Sequence, residues 1–127
     1  MLGSDSKLLT DGEAPTLLIH AEPFDIPQAD AEHVERAVLT ADDGEIPIAR
    51  ILAFLGDREI QSLLVEGGPN TWRRFLAAGL VDRAHLCQSP VELSGSGTEF
   101  SESELSSAGL QQFREIEVSG DRISHWR

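Results

Sequence analysis

The stretch Glu66-Gly67-Gly68-Pro69-Asn70-Thr71 is the clearest candidate for a binding site in this chain. Two successive glycines carry no Cβ, so an anionic group can approach the main chain closely there. Pro69 is preset for the first turn of a helix and lacks an N–H that would have no partner at that position. The remaining free N–H groups of that turn, with the helix dipole, favour a phosphate by roughly 0.3–1 kcal/mol. Asn70 and Thr71 could add side-chain hydrogen bonds, and Arg73 and Arg74 bring two positive charges one turn later. Each feature also has a plainer reading. The glycines could form only a tight strand-to-helix turn, Glu66 could be a solvated strand-end acid, and the two arginines could line an exposed helix face.

Other reactive residues form no convincing constellation. His20, His33, His85 and His125 are dispersed, with no pair spaced four apart on a helix, so no metal site is expected. His85 alternates with apolar neighbours and reads as a sheet residue. Cys87 reads as a small buried hydrophobe rather than a nucleophile. Ser94-Gly95-Ser96-Gly97 is not followed by Lys-Ser/Thr, so it is not a phosphate-binding P-loop.

The elements that must position the glycine pair can be read from pattern. Ser62-Leu63-Leu64-Val65 is an apolar run and predicts a strand ending at Glu66. Asn70 to Leu80 predicts a helix with Trp72, Phe75 and Leu76 on its core side, stopped near Gly79. Upstream, Thr16–His20 and Val34–Thr40 predict strands, with a turn at Asp42-Asp43-Gly44. Ile48, Ile51, Leu52 and Leu55 fall on one face of a helix ending near Gly56. Downstream, Ala84 to Leu93 reads as a strand interrupted at Pro90, followed by a long polar loop through Ser107. Residues 113–118, a turn at Ser119-Gly120-Asp121 and residues 122–126 read as a closing hairpin. Strands alternating with helices predict an α/β fold, with a partly parallel sheet and an antiparallel end. No internal repeat and no dividing linker is apparent.

Composition narrows the function. The chain has 127 residues, with 22 acids against 10 bases and a formal charge of -12. That balance argues against general nucleic-acid binding and against docking on an anionic membrane. An anionic ligand would need a local positive site. The single cysteine forbids an internal disulfide and suits a reducing cytoplasm. No apolar run approaches the ~20 residues that span a bilayer, and the N-terminus lacks the pattern of a secretory signal.

Leu63-Leu64-Val65-Glu66-Gly67-Gly68-Pro69, then Phe75-Leu76-Ala77-Ala78-Gly79-Leu80-Val81-Asp82, then Ser89-Pro90, resembles the C-terminal reductase domain of the bacterial bifunctional riboflavin-biosynthesis deaminase/reductase. Phe113 and Val118-Ser119-Gly120-Asp121 are similar to its last hairpin, and Asp5-Ser6-Lys7-Leu8-Leu9 more weakly to an earlier part. The resemblance covers nearly all of residues 1–127, and its specific part is residues 62–82. It implies a dihydrofolate-reductase-like mixed sheet flanked by helices, with the early strands of the family domain missing. It also implies a cytoplasmic, NADPH-dependent reductase acting on a pyrimidine with a phosphoribosylamino group, whose ribose becomes a ribityl chain. Glu66 matches a substrate-contacting position. Gly67, Gly68, Pro69, Asn70, Thr71, Trp72, Arg73 and Arg74 match the cofactor-phosphate segment. Ser94 stands where the family has a glycine. The His-x-Glu and Pro-Cys-x-x-Cys pattern of the deaminase half is absent from the chain.

Two functions compete at this point. One is the reductase, in a piece of a longer protein. The other is a non-catalytic reductase-like module that binds a nucleotide or forms a homodimer through exposed strand edges.

Overall fold

The computed structural model describes residues 6–22, 31–91, 95 and 97–127. The chain falls into two compact units, Met1–Ile60 and Gln61–Arg127, although the sequence shows no linker at that point.

The first unit is built on a parallel pair. β1 (Thr16–His20) runs beside β2 (Val34–Val38), with Thr16 opposite Val34 and His20 opposite Val38. Both strands lie where the apolar runs predicted them. A short helix, α1 (Lys7–Thr10), precedes them. The turn predicted at Asp42-Asp43-Gly44 is present. Asp43 and Gly44 both take positive φ, 51° and 85°, and Asp42 and Glu45 exchange backbone hydrogen bonds across it. α2 (Ile48–Gly56) follows, with Ile48 and Leu55 buried and Ile51 and Leu52 half-buried, as the spacing required. Among the described residues of this unit, Leu9 and Ala37 are the other buried apolar ones. Arg50 donates to the Asp42 carboxylate at 3.0 Å and to the Thr40 carbonyl, which ties the turn to α2.

The second unit opens on Gln61–Gly68 and then α3 (Pro69–Ala77). β3 (Ala84–Gln88), α4 (Glu102–Ser107), β4 (Gln112–Val118) and β5 (Asp121–Trp126) complete it. The sheet order is β3-β5-β4, all antiparallel, and the predicted closing hairpin is β4–β5 with its turn at Ser119 and Gly120. Leu105, Leu110 and Trp126 form the core, with Leu76, Val81, Ala84 and Phe100 packed against them. Burial of Ser124 at 1% exposure is tolerated because its Oγ accepts a hydrogen bond from Trp126 Nε1 at 2.9 Å.

Three sequence expectations change. Ser62–Val65 is not a strand. Residues 61–66 belong to no helix or strand, and Leu63 and Leu64 are 47% and 78% exposed. The run has strand propensity but makes no backbone hydrogen bond to another strand of its own unit among the described residues, and propensity in sheets depends on such pairing. The polar loop through Ser107 contains α4, which Ser101 caps by accepting from the Ser103 N–H at 3.2 Å. Cys87 is exposed rather than buried. It shares a face of β3 with His85, whereas Ala84, on the opposite face, packs on the core. β3 ends at Gln88, ahead of Pro90, and residues 92–94 of the expected strand lie outside the described residues.

Candidate functional site

The glycine turn forms as the sequence requires. Gly67 has φ of +121°, a conformation that residues with a Cβ rarely adopt. Gly68 is the N-cap of α3, with extended backbone and no side-chain cap bond. A Cβ placed on either glycine would meet nothing within 4 Å, so the space in front of the helix is open. The Thr71 N–H donates to the Gly68 carbonyl at 3.0 Å. The Asn70 N–H has no partner among the described residues and is left at the start of a nine-residue helix. An uncapped helix end beside two glycines can take an anionic oxygen.

Glu66, exposed, immediately precedes the turn. Asn70 and Thr71, also exposed, are on the first turn of α3. Phe75 is buried and anchors this helix, so the turn rests on a packed element.

Trp72 and Arg73 are engaged away from the glycine turn. Trp72 is half-buried and meets Phe100 edge to face, with ring centroids 4.5 Å apart. Arg73 makes a bidentate pair with Glu104, Nε to Oε2 at 2.7 Å and Nη2 to Oε1 at 2.9 Å. Its Nη2 also donates to the Glu99 carbonyl at 3.0 Å, and its guanidinium lies over the Trp72 ring. The hydrogen bonds from Arg73 hold the Glu104 carboxyl below its ordinary range, and the same pair raises Arg73 further. Arg73, Leu76 and Ala77 of α3, with Ser103, Glu104 and Ser107 of α4, line an open cleft of about 380 Å³. Neither Gly67 nor Gly68 lines it.

Sequence reasoning missed Glu104 and the helix that carries it. The signal was Ser101-Glu102-Ser103-Glu104-Leu105, a capping serine with an acid three residues on, ahead of a buried leucine. It also read His85 and His125 as dispersed. Register places them opposite each other on β3 and β5, with their Nδ1 atoms 2.7 Å apart, one donating to the other. Among the described residues, no group of three or more His, Cys, Asp or Glu is arranged to hold a metal ion. No helix among the described residues is long and apolar enough to cross a membrane.

Comparison with known proteins supports the family resemblance carried by the sequence. The family described as the RibD C-terminal domain matches residues 2–124. The riboflavin biosynthesis protein RibD of Bacillus amyloliquefaciens is 30% identical over 112 residues, covering 87% of this chain and 29% of that protein. The chain therefore spans less than a third of that relative's length. The mixed α/β architecture is consistent with the dihydrofolate-reductase-like fold implied by the resemblance. A family match over nearly the full chain and a relative 30% identical over most of it lead to one assignment: the chain belongs to the RibD C-terminal domain family.

Proposed function

We propose that this chain is the dinucleotide-binding part of an NADPH-dependent reductase of riboflavin synthesis. In this reading it acts on the aminouracil that carries a phosphoribosylamino group and takes it to the ribityl form. The observation that carries the reading is the open glycine turn with a free N–H on an uncapped helix. The residues fit a dinucleotide phosphate. Gly67 and Gly68 would admit it, the Asn70 N–H would donate to it, and the Asn70 and Thr71 side chains lie within the same turn. Pro69 fixes the start of the helix. Glu66, at the mouth of the turn, would accept hydrogen bonds from hydroxyls of the sugar substrate. When bound, the nicotinamide supplies the hydride, and the protein's part is to position the two reactants.

Arg73 and Arg74 complete the segment in this reading, Arg73 from a position already neutralised by Glu104. The same reading includes a cytoplasmic location and association as a homodimer. A non-catalytic, reductase-like binding module is a second reading, favoured by the unpaired, exposed segment at Gln61–Glu66.

Titration with NADPH, followed by intrinsic tryptophan emission, tests the first reading. Saturable binding is expected, and Gly68→Asp, which sets a carboxylate against the phosphate, should abolish it. Equal binding by that variant, or no binding at millimolar cofactor, would remove the glycine turn as a dinucleotide site. Turnover of the phosphoribosylamino substrate with NADPH separates the enzyme from the binding module.

A further inference from the structure

His85 and His125 are 40 residues apart in the chain and directly opposed in the β3–β5 pairing, which is internal to the second unit. Their Nδ1 atoms are 2.7 Å apart, and their rings stand at 81° with centroids 4.7 Å apart. Neighbours on the opposite face of the sheet hold both strands in place. On β5, Ser124 and Trp126 flank His125 and are 1% and 5% exposed. On β3, Ala84 precedes His85 and packs on the core. Two imidazoles therefore meet on a fixed scaffold, nitrogen to nitrogen.

We propose that His85 and His125 form a two-imidazole site for a divalent transition ion that prefers right-angled ligands, copper(II) or nickel(II). A neutral imidazole carries one N–H and one lone pair. In the hydrogen-bonded pair, the donor ring holds its proton on Nδ1 and the acceptor ring holds its own on Nε2. Moving the donor's proton to Nε2 frees both Nδ1 lone pairs, with no proton gained or lost by the pair. A turn of each ring about its Cβ–Cγ bond then lets both lone pairs converge on one ion. With metal–nitrogen bonds of about 2.0–2.1 Å, right-angled ligand atoms are about 2.9 Å apart and tetrahedral ones about 3.3 Å. The observed 2.7 Å is close to the first separation and well short of the second. Copper(II) and nickel(II) take square or tetragonal nitrogen sites, whereas zinc is tetrahedral. Among the described residues no third His, Cys, Asp or Glu completes a metal-holding group, so water fills the remaining positions.

The surroundings set the character of the site. Cys87, two residues along β3, is opposed by Ile123 and not by another ligand. Arg114 opposes His125 from β4, and its positive charge lowers the affinity for a cation. The formal charge of -12 acts the other way, by concentrating cations around the chain. Two protein ligands and open water positions make an exchangeable site rather than a closed structural centre. An ion held there joins β3 to β5 by a link beyond the backbone ladder and stabilises the folded chain. The pair shares no residue with the glycine turn, and it replaces the expectation from dispersed histidines that no metal site is present.

The test uses the full chain without an affinity tag. Calorimetric titration with nickel chloride in a non-coordinating buffer should show saturable uptake of one ion per chain. His85→Gln and His125→Gln should each weaken it at least about tenfold, because either change removes the second point of attachment. Cys87→Ser and His33→Gln should bind nickel as the parent does. Circular dichroism confirms that each variant is folded. Zinc should bind more weakly than nickel. With copper(II), electron paramagnetic resonance should show hyperfine coupling to two nitrogens in the parent and to one in either histidine variant. The thermal midpoint should rise with nickel in the parent and not in those variants. Uptake unchanged by both histidine substitutions, or no saturable uptake at millimolar nickel, would overturn the site. Tighter binding of zinc than of nickel would overturn its right-angled geometry. NADPH titration is a separate measurement, so the cofactor reading stands or falls apart from this one.

Discussion

Arg73 shows how one residue's role changes when its neighbours are known. In the sequence it is a cation one turn beyond a phosphate-binding pattern. In the structure its guanidinium faces Glu104, the Glu99 carbonyl and the Trp72 ring. The side chains of the pair are 39% and 30% exposed, so solvent screens it, and its contribution should fall as salt rises. The sign of its pH dependence follows from the depressed Glu104 carboxyl. A carboxylate whose folded pKa is lowered contributes fully above its ordinary value, and the contribution is lost as pH falls through the folded value. The urea midpoint of Glu104→Gln should therefore lie below that of the parent at neutral pH. The gap should close on acidification below the ordinary 4.5. A gap that persists at strongly acid pH would assign the loss to packing rather than charge. At the glycine turn, Arg73→Met should weaken NADPH binding much less than Gly68→Asp does, because Arg73 is already neutralised. Parallel titrations decide between them.

At the level of elements, α4 organises the second unit. It contributes Leu105, 3% exposed, to the core and Glu104 to the clamp on α3. Leu105→Ala should cost about 2–5 kcal/mol in urea unfolding, while Val118→Ala, on the hairpin surface, should stay within about 0.5 kcal/mol. Removing the cap with Ser101→Ala should cost roughly 0.5–2 kcal/mol. Much of the architecture was legible in the sequence. Thr16–His20 and residues 34–38 carried strand character, Ile48 to Leu55 had one apolar face, and the turn at Ser119-Gly120 marked the final hairpin. What was not legible depended on partners. Leu63-Leu64-Val65 has the composition of a strand, but a strand also needs an adjacent backbone, which no local pattern specifies. α4 was masked by the Gly/Ser-rich stretch before it, although its capping serine and spaced acid were present. The glycine turn was legible because its features are local. The Arg73–Glu104 pair, 31 residues apart, was not.

For the whole molecule, the charge of -12 is a persistent destabilising field that electrolyte relieves. Moderate sodium chloride should raise the thermal midpoint of the chain, even though it weakens the Arg73–Glu104 pair. A midpoint that falls with salt would show that local pairs outweigh the global repulsion. The two tryptophans add an optical consequence. Trp126 is 5% exposed with its indole N–H donated to Ser124, whereas Trp72 is half-buried on the helix that begins at the glycine turn. A collisional quencher will therefore extinguish the red-shifted emission of Trp72 first and leave the blue-shifted emission of Trp126. Caesium should do so more efficiently than iodide, because the chain's negative potential concentrates the cation at its surface. The fold thus carries two separable lamps, one beside the helix under test and one sealed in the core as an internal reference.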